Sequence, residues 1–109
     1  MTETILSKEP RQAVEEMLKI TEELVARIEI ETSAVATNDG TTFTMNEMNK
    51  EHAANMYTKA ANEFHQRIDE FKGVDQGLVD KLEAAQKSLG QTTKNNLSLL
   101  EKLQEADGE

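Results

Sequence analysis

Two histidines and a wealth of carboxylates are the side chains of this sequence with reactive potential, and their spacing decides what chemistry is open to them. His52, in KEHAANMYTK, raises phosphotransfer. The lysine and glycine that accompany a phosphorylated histidine on an exposed helix face are absent, however, and Ala53, Ala54 and Asn55 stand in their place. His65 lies beside Phe64 and before QRIDE, an ordinary helix flank. No two histidines sit four residues apart, so a helical zinc signature is missing. Carboxylates crowd runs such as EELVARIEIE, but at helical spacing they fall mainly on hydrophilic arcs, where solvation explains them. There is no glycine-rich phosphate loop, and no Ser, His and Asp set stands out. The expectation is a protein without catalytic residues, cofactor or metal.

Composition narrows the remaining classes. A chain of 109 residues with one proline, five glycines and neither cysteine nor tryptophan is depleted in strand and turn formers and rich in Ala, Leu, Glu, Lys and Gln. It reads as one helical domain. The lack of cysteine excludes disulfides and thiolate metal sites. The opening MTETILSKEP has neither a basic region nor an apolar run, and no segment approaches the roughly 20 apolar residues that span a bilayer. A net charge of -9 opposes phosphate backbones and anionic lipid. A soluble protein without an export signal of its own, compatible with a reducing cytoplasm and binding neither nucleic acid nor membrane, is expected.

The elements follow from periodicity. Pro10 fits a helix first turn, and Val14, Leu18, Thr21, Val25, Ile28, Thr32 and Val35 alternate steps of four and three up to about residue 36. NDG at 38–40 suits a helix end and a reversal. Thr44 and Glu47 have capping-box spacing, and Phe43 and Met48 that of a hydrophobic staple, so helix two is expected over 44–72. Its seam is Ala54, Tyr57, Ala61, Phe64, Ile68 and Phe71, widened by Ala53, Met56 and Ala60. Gly73 then reads as a C-terminal cap and Asp75 as the next N-cap. Helix three, over 75–104, presents Leu78, Leu82, Ala85, Leu89, Thr92, Asn96, Leu99 and Leu103, with frayed termini beyond the helices. Short connections between long helices predict an all-α, antiparallel up-down-up three-helix bundle over residues 1–109.

Some apolar residues lie beside the seams. Met17, Ile20 and Leu24 form a second stripe on helix one, either core or a self-association surface, and a structural bundle dimerising through it is the alternative functional reading. Val79 and Leu97 lie about 110° from the leucine seam of helix three, counting about 100° per residue, and are expected to be exposed. Asn96 on that seam either fixes register as a buried amide or marks where the helix leaves the bundle. Leu97 with Leu100 and Leu103 offers a groove for an amphipathic helix.

ITEELVARIEIETSAVATND, MNKEHAANMYTKA and TTKNNLSLLEKL together resemble the FlgN family of flagellar type III export chaperones. The likeness lies in spaced apolar and acidic residues with a terminal Asp in helix one, an early lysine in helix two, and paired asparagines before a double leucine in helix three. It implies a cytoplasmic chaperone that holds hook-filament junction proteins before secretion and meets the export apparatus. On that reading the partner-binding residues are Asn95, Asn96, Leu97, Leu100 and Leu103. Members of the family often continue into a flexible tail, whereas this sequence ends at Glu109.

Overall fold

The computed structural model describes residues 4–107, and expectations for residues 1–3 and 108–109 lie outside the described residues. Three long helices, α1 (Pro10–Ala36), α2 (Gly40–Gln66) and α3 (Gln76–Asp107), form an up-down-up bundle, with a 3-10 turn at Ile68–Phe71 between α2 and α3. α1 is the central member: α2 and α3 each pack along it, and their backbones approach one another far less closely.

α1 begins at Pro10 as its sequence predicts, capped by Glu9, whose carboxylate accepts from the backbone N–H groups of Arg11 and Gln12. It ends in Asn38, the one non-glycine residue with positive φ (57°) among the described residues, which turns the chain into α2. The second apolar stripe of α1 is core. Met17 and Leu24 are buried and Ile20 is half-buried against the core cluster. Met17 and Leu24 are thereby withdrawn from the surface, and Ile20 alone of the stripe keeps partial exposure.

α2 starts four residues before the expected Thr44. Asp39 outcompetes the capping box because one carboxylate satisfies two donors at once, the Thr42 backbone N–H at 3.1 Å and the Thr42 hydroxyl at 2.6 Å. Thr44 is an exposed interior residue, and Met48, 80% exposed, forms no staple. The face of α2 turned to α1 is narrower than its expected seam, with Asn46, Ala53 and Ala60 buried at seven-residue intervals.

α2 also ends early, at Gln66 rather than Lys72. Phe64 and Phe71 stack with ring centroids 4.3 Å apart, whereas in a continuous helix seven residues separate them by about 10 Å of rise. The 3-10 turn closes that gap, buries Phe71 and leaves Ile68, an expected seam residue, exposed. Gly73 does not act as a left-handed cap, since no described glycine has positive φ. Asp75 does cap α3, accepting from the Gly77 backbone N–H at 3.3 Å.

The segment before α1 is tied down rather than frayed. Glu63 of α2 accepts from the backbone N–H groups of Ile5 (2.7 Å) and Leu6 (3.1 Å), and Glu16 of α1 from that of Ser7 (2.6 Å). Arg67 donates to the carbonyls of Ser7 and Lys8 and lies 5.4 Å from the Phe71 ring centroid. Leu6, 2% exposed, thus joins Ala13, Val14, Met17, Ala60, Phe71 and Leu82 in an apolar cluster at one end of the bundle, with Tyr57 packed against it.

Candidate partner-binding site

The opposite end of the bundle is polar inside. Glu31 of α1 is only 4% exposed, yet it bridges the other two helices: its Oε2 accepts from Lys50 Nζ of α2, and its Oε1 from Asn96 Nδ2 of α3 at 3.2 Å. Asn96 Nδ2 also donates to Thr32 Oγ1 at 2.9 Å, and the Thr32 hydroxyl in turn donates to the Ile28 carbonyl. A buried carboxylate is tolerable only when paired and hydrogen-bonded, and this one has both kinds of partner. Partial burial by itself would lower the Lys50 pKa. The hydrogen bond and charge of Glu31, with help from Glu47, outweigh that effect and raise it. Nearby, Asn46 Nδ2 donates to the Arg27 carbonyl at 2.9 Å.

This network divides the five residues expected to bind a partner. Asn96 points into the bundle and is committed to Glu31 and Thr32, so it fixes the register of α3 on α1 and is withdrawn from the outer surface. Asn95 is exposed and accepts from Gln91. Leu97 is 54% exposed, Leu100 half-buried and Leu103 41% exposed. Val79, also expected outside, is half-buried at the start of α3.

Leu103 is exposed for a reason that periodicity alone does not supply. It falls on the inward seam, within about 20° of Asn96 at about 100° per residue. The Asn96 bonds set α3 on α1 with an offset of 64 to 65 residues, so Ala36, where α1 ends, is level with residues 100–101 of α3. α3 continues to Asp107. Its seam therefore outruns its support by about 10 Å, and Leu103 has no α1 residue to meet.

Sequence reasoning missed Glu31 and the part played by Lys50, because a lone glutamate at a helical position reads as solvated until its partners are known. Both histidines are exposed, and His52 borders a groove between α1 and α2. No helix among the described residues is long and apolar enough to cross a membrane.

No known family, characterised protein or solved structure matches the chain. Its function has to be argued from its own surface.

Proposed function

We propose that this protein is a non-catalytic, cytoplasmic binding protein that masks an amphipathic helix of a secreted client, the role implied by its resemblance to the flagellar export chaperones, with hook-filament junction proteins as the client class. The observation that carries the reading is the overrunning end of α3. There Leu103 continues the apolar seam past the end of α1, Leu100 lies level with that end, and Leu97 adds apolar surface beside them. An amphipathic helix laid on this end supplies the packing that α1 does not, while the net charge of -9 keeps the complex dispersed.

The test is capture of a purified hook-filament junction protein. Leu97→Ser combined with Leu103→Ser removes the two most exposed leucines and should abolish capture while thermal stability changes little, since large losses come from filled core positions. Leu82→Ala is the control: Leu82 is buried in the apolar cluster, and its truncation should cost about 2 to 5 kcal/mol, touching capture only through unfolding. Undiminished capture by the folded double variant would refute this reading.

A further inference from the structure

The contacts that hold the segment before α1 have the form of a bound peptide. Glu63 accepts from the backbone N–H groups of Ile5 and Leu6, Glu16 accepts from that of Ser7, and Arg67 donates to the carbonyls of Ser7 and Lys8. Each of these bonds joins a side chain of the bundle to the backbone of the segment. None depends on which residues the segment carries, provided that its N–H groups are free. Among the described residues, no backbone-to-backbone hydrogen bond joins residues 4–8 to a helix. The segment is docked onto the bundle, not woven into it.

Glu63 and Arg67 stand four residues apart at the end of α2, a spacing at which opposite charges commonly pair. Here they do not. Glu63 forms no salt bridge among the described residues, and Arg67 pairs with Glu70. The carboxylate is left to take N–H groups and the guanidinium to take carbonyls, so together they fix the direction of a chain laid across them. Beside them is one apolar socket, where Leu6, 2% exposed, joins a cluster that includes Ala13, Ala60, Phe71 and Leu82. Ile5 and Ser7 are half-buried, and Thr4 and Lys8 are exposed. A single side chain of the segment therefore supplies the apolar anchor.

We propose that this cleft is a peptide-binding site filled in cis by residues 5–8, and that its ligand in trans is a short non-helical segment of another protein. That segment carries an aliphatic residue at the place of Leu6 and free N–H groups around it. The chain's own strap is then a built-in competitor. Tethered beside the cleft at an effective concentration on the order of millimolar, it admits only ligands that bind more tightly or are concentrated locally. The site lies at the apolar end of the bundle, away from the client site at the end of α3.

Leu6→Ser in the full chain removes the strap's anchor and leaves Glu16, Glu63 and Arg67 in place. A peptide TILSKE, the sequence of residues 4–9 with both ends blocked, should bind this variant about tenfold tighter than the unaltered chain, with amide shifts centred on Ala60, Phe71 and Leu82. Ser7→Pro deletes the N–H that Glu16 accepts without touching the apolar cluster, and should raise the affinity in the same direction; it decides the matter if Leu6→Ser does not fold. A peptide that keeps only the Ile-Leu pair, with alanine elsewhere, should bind nearly as well, and serine in place of its leucine should abolish binding. Leu97→Ser with Leu103→Ser should change none of this. No binding to a folded strap variant, equal binding to variant and unaltered chains, or shifts centred on Leu97 and Leu103 would each overturn the proposal. So would binding confined to the strap's own sequence, or a concentration-dependent dimer of the unaltered chain that Leu6→Ser abolishes, since the occupant would then be a second copy.

Discussion

Glu31 is a carboxylate with almost no access to water, held by an ammonium from one helix and an amide from another. Replacing it by alanine removes the carboxylate that joins Lys50 to Asn96, leaving Lys50 only Glu47 and Asn96 only Thr32, and Glu31→Ala should cost about 3 kcal/mol in denaturant unfolding. Because the folded chain raises the Lys50 pKa above its ordinary value of 10.5, the associated stability is complete below that pH and is lost as pH climbs through the raised value. A thermal melt series should therefore show an alkaline decline above pH 10.5 that Lys50→Met blunts. At the head of α2, the side-chain and backbone hydrogen bonds from Thr42 lower the Asp39 pKa below 3.8 despite a small opposing effect of desolvation. The sign is then reversed: its contribution is present above pH 3.8 and disappears as pH falls through the lowered value. Asp39→Ala should lower the melting temperature at neutral pH and Thr44→Ala should not. The true cap was hard to read because Asp39 and Thr44 both head plausible helices, and only the pairing of Asp39 with Thr42 and the left-handed Asn38 favour the first.

At the scale of elements, sequence periodicity specified α1 and the body of α3 well, since Pro10 and the alternating four-three leucine steps each have one reading. It failed where an element depends on a distant partner. The 3-10 turn exists because Phe71 returns to Phe64 and Arg67 reaches back to the carbonyls of Ser7 and Lys8, contacts spanning up to 60 residues that no local pattern announces. The strap over residues 5–8 has no periodicity at all, and its anchors are carboxylates that look like surface charge. Of the expected binding residues, Leu97 and Leu103 are on the surface, while Asn96 was legible only as two alternatives until Glu31 and Thr32 were placed beside it. The strap is part of the core, and Leu6→Ala should destabilise the protein by about 2 to 4 kcal/mol in chemical denaturation, as for any filled core position. Support along α3 is uneven. Hydrogen exchange should find the amides after Asn96 less protected than those around Leu82, because the buried apolar contacts concentrate at the Leu82 end. Uniform protection along α3 would contradict the view of an end free to take up a partner.

The molecule as a whole is long and thin, 54 × 30 × 19 Å, with a Cα radius of gyration of 16.3 Å. A compact domain of this length has a radius of about 13 Å. A monomer should therefore elute ahead of globular standards of its 12.2 kDa mass, and scattering rather than elution volume is needed to tell it from a dimer. One end of this rod is apolar inside and the other is knit by hydrogen bonds, and the chain's single tyrosine, Tyr57, packs at the apolar end. With no tryptophan present, intrinsic fluorescence sees that end alone. Release of Glu31, Lys50 and Asn96 would pass without an optical signal, and an unfolding curve recorded through Tyr57 would look like a single transition even after the polar end had opened. A reporter placed at exposed Asn95 would make the silent half visible, and any lag between its trace and that of Tyr57 would measure how far the two ends of the rod behave as separate cooperative units.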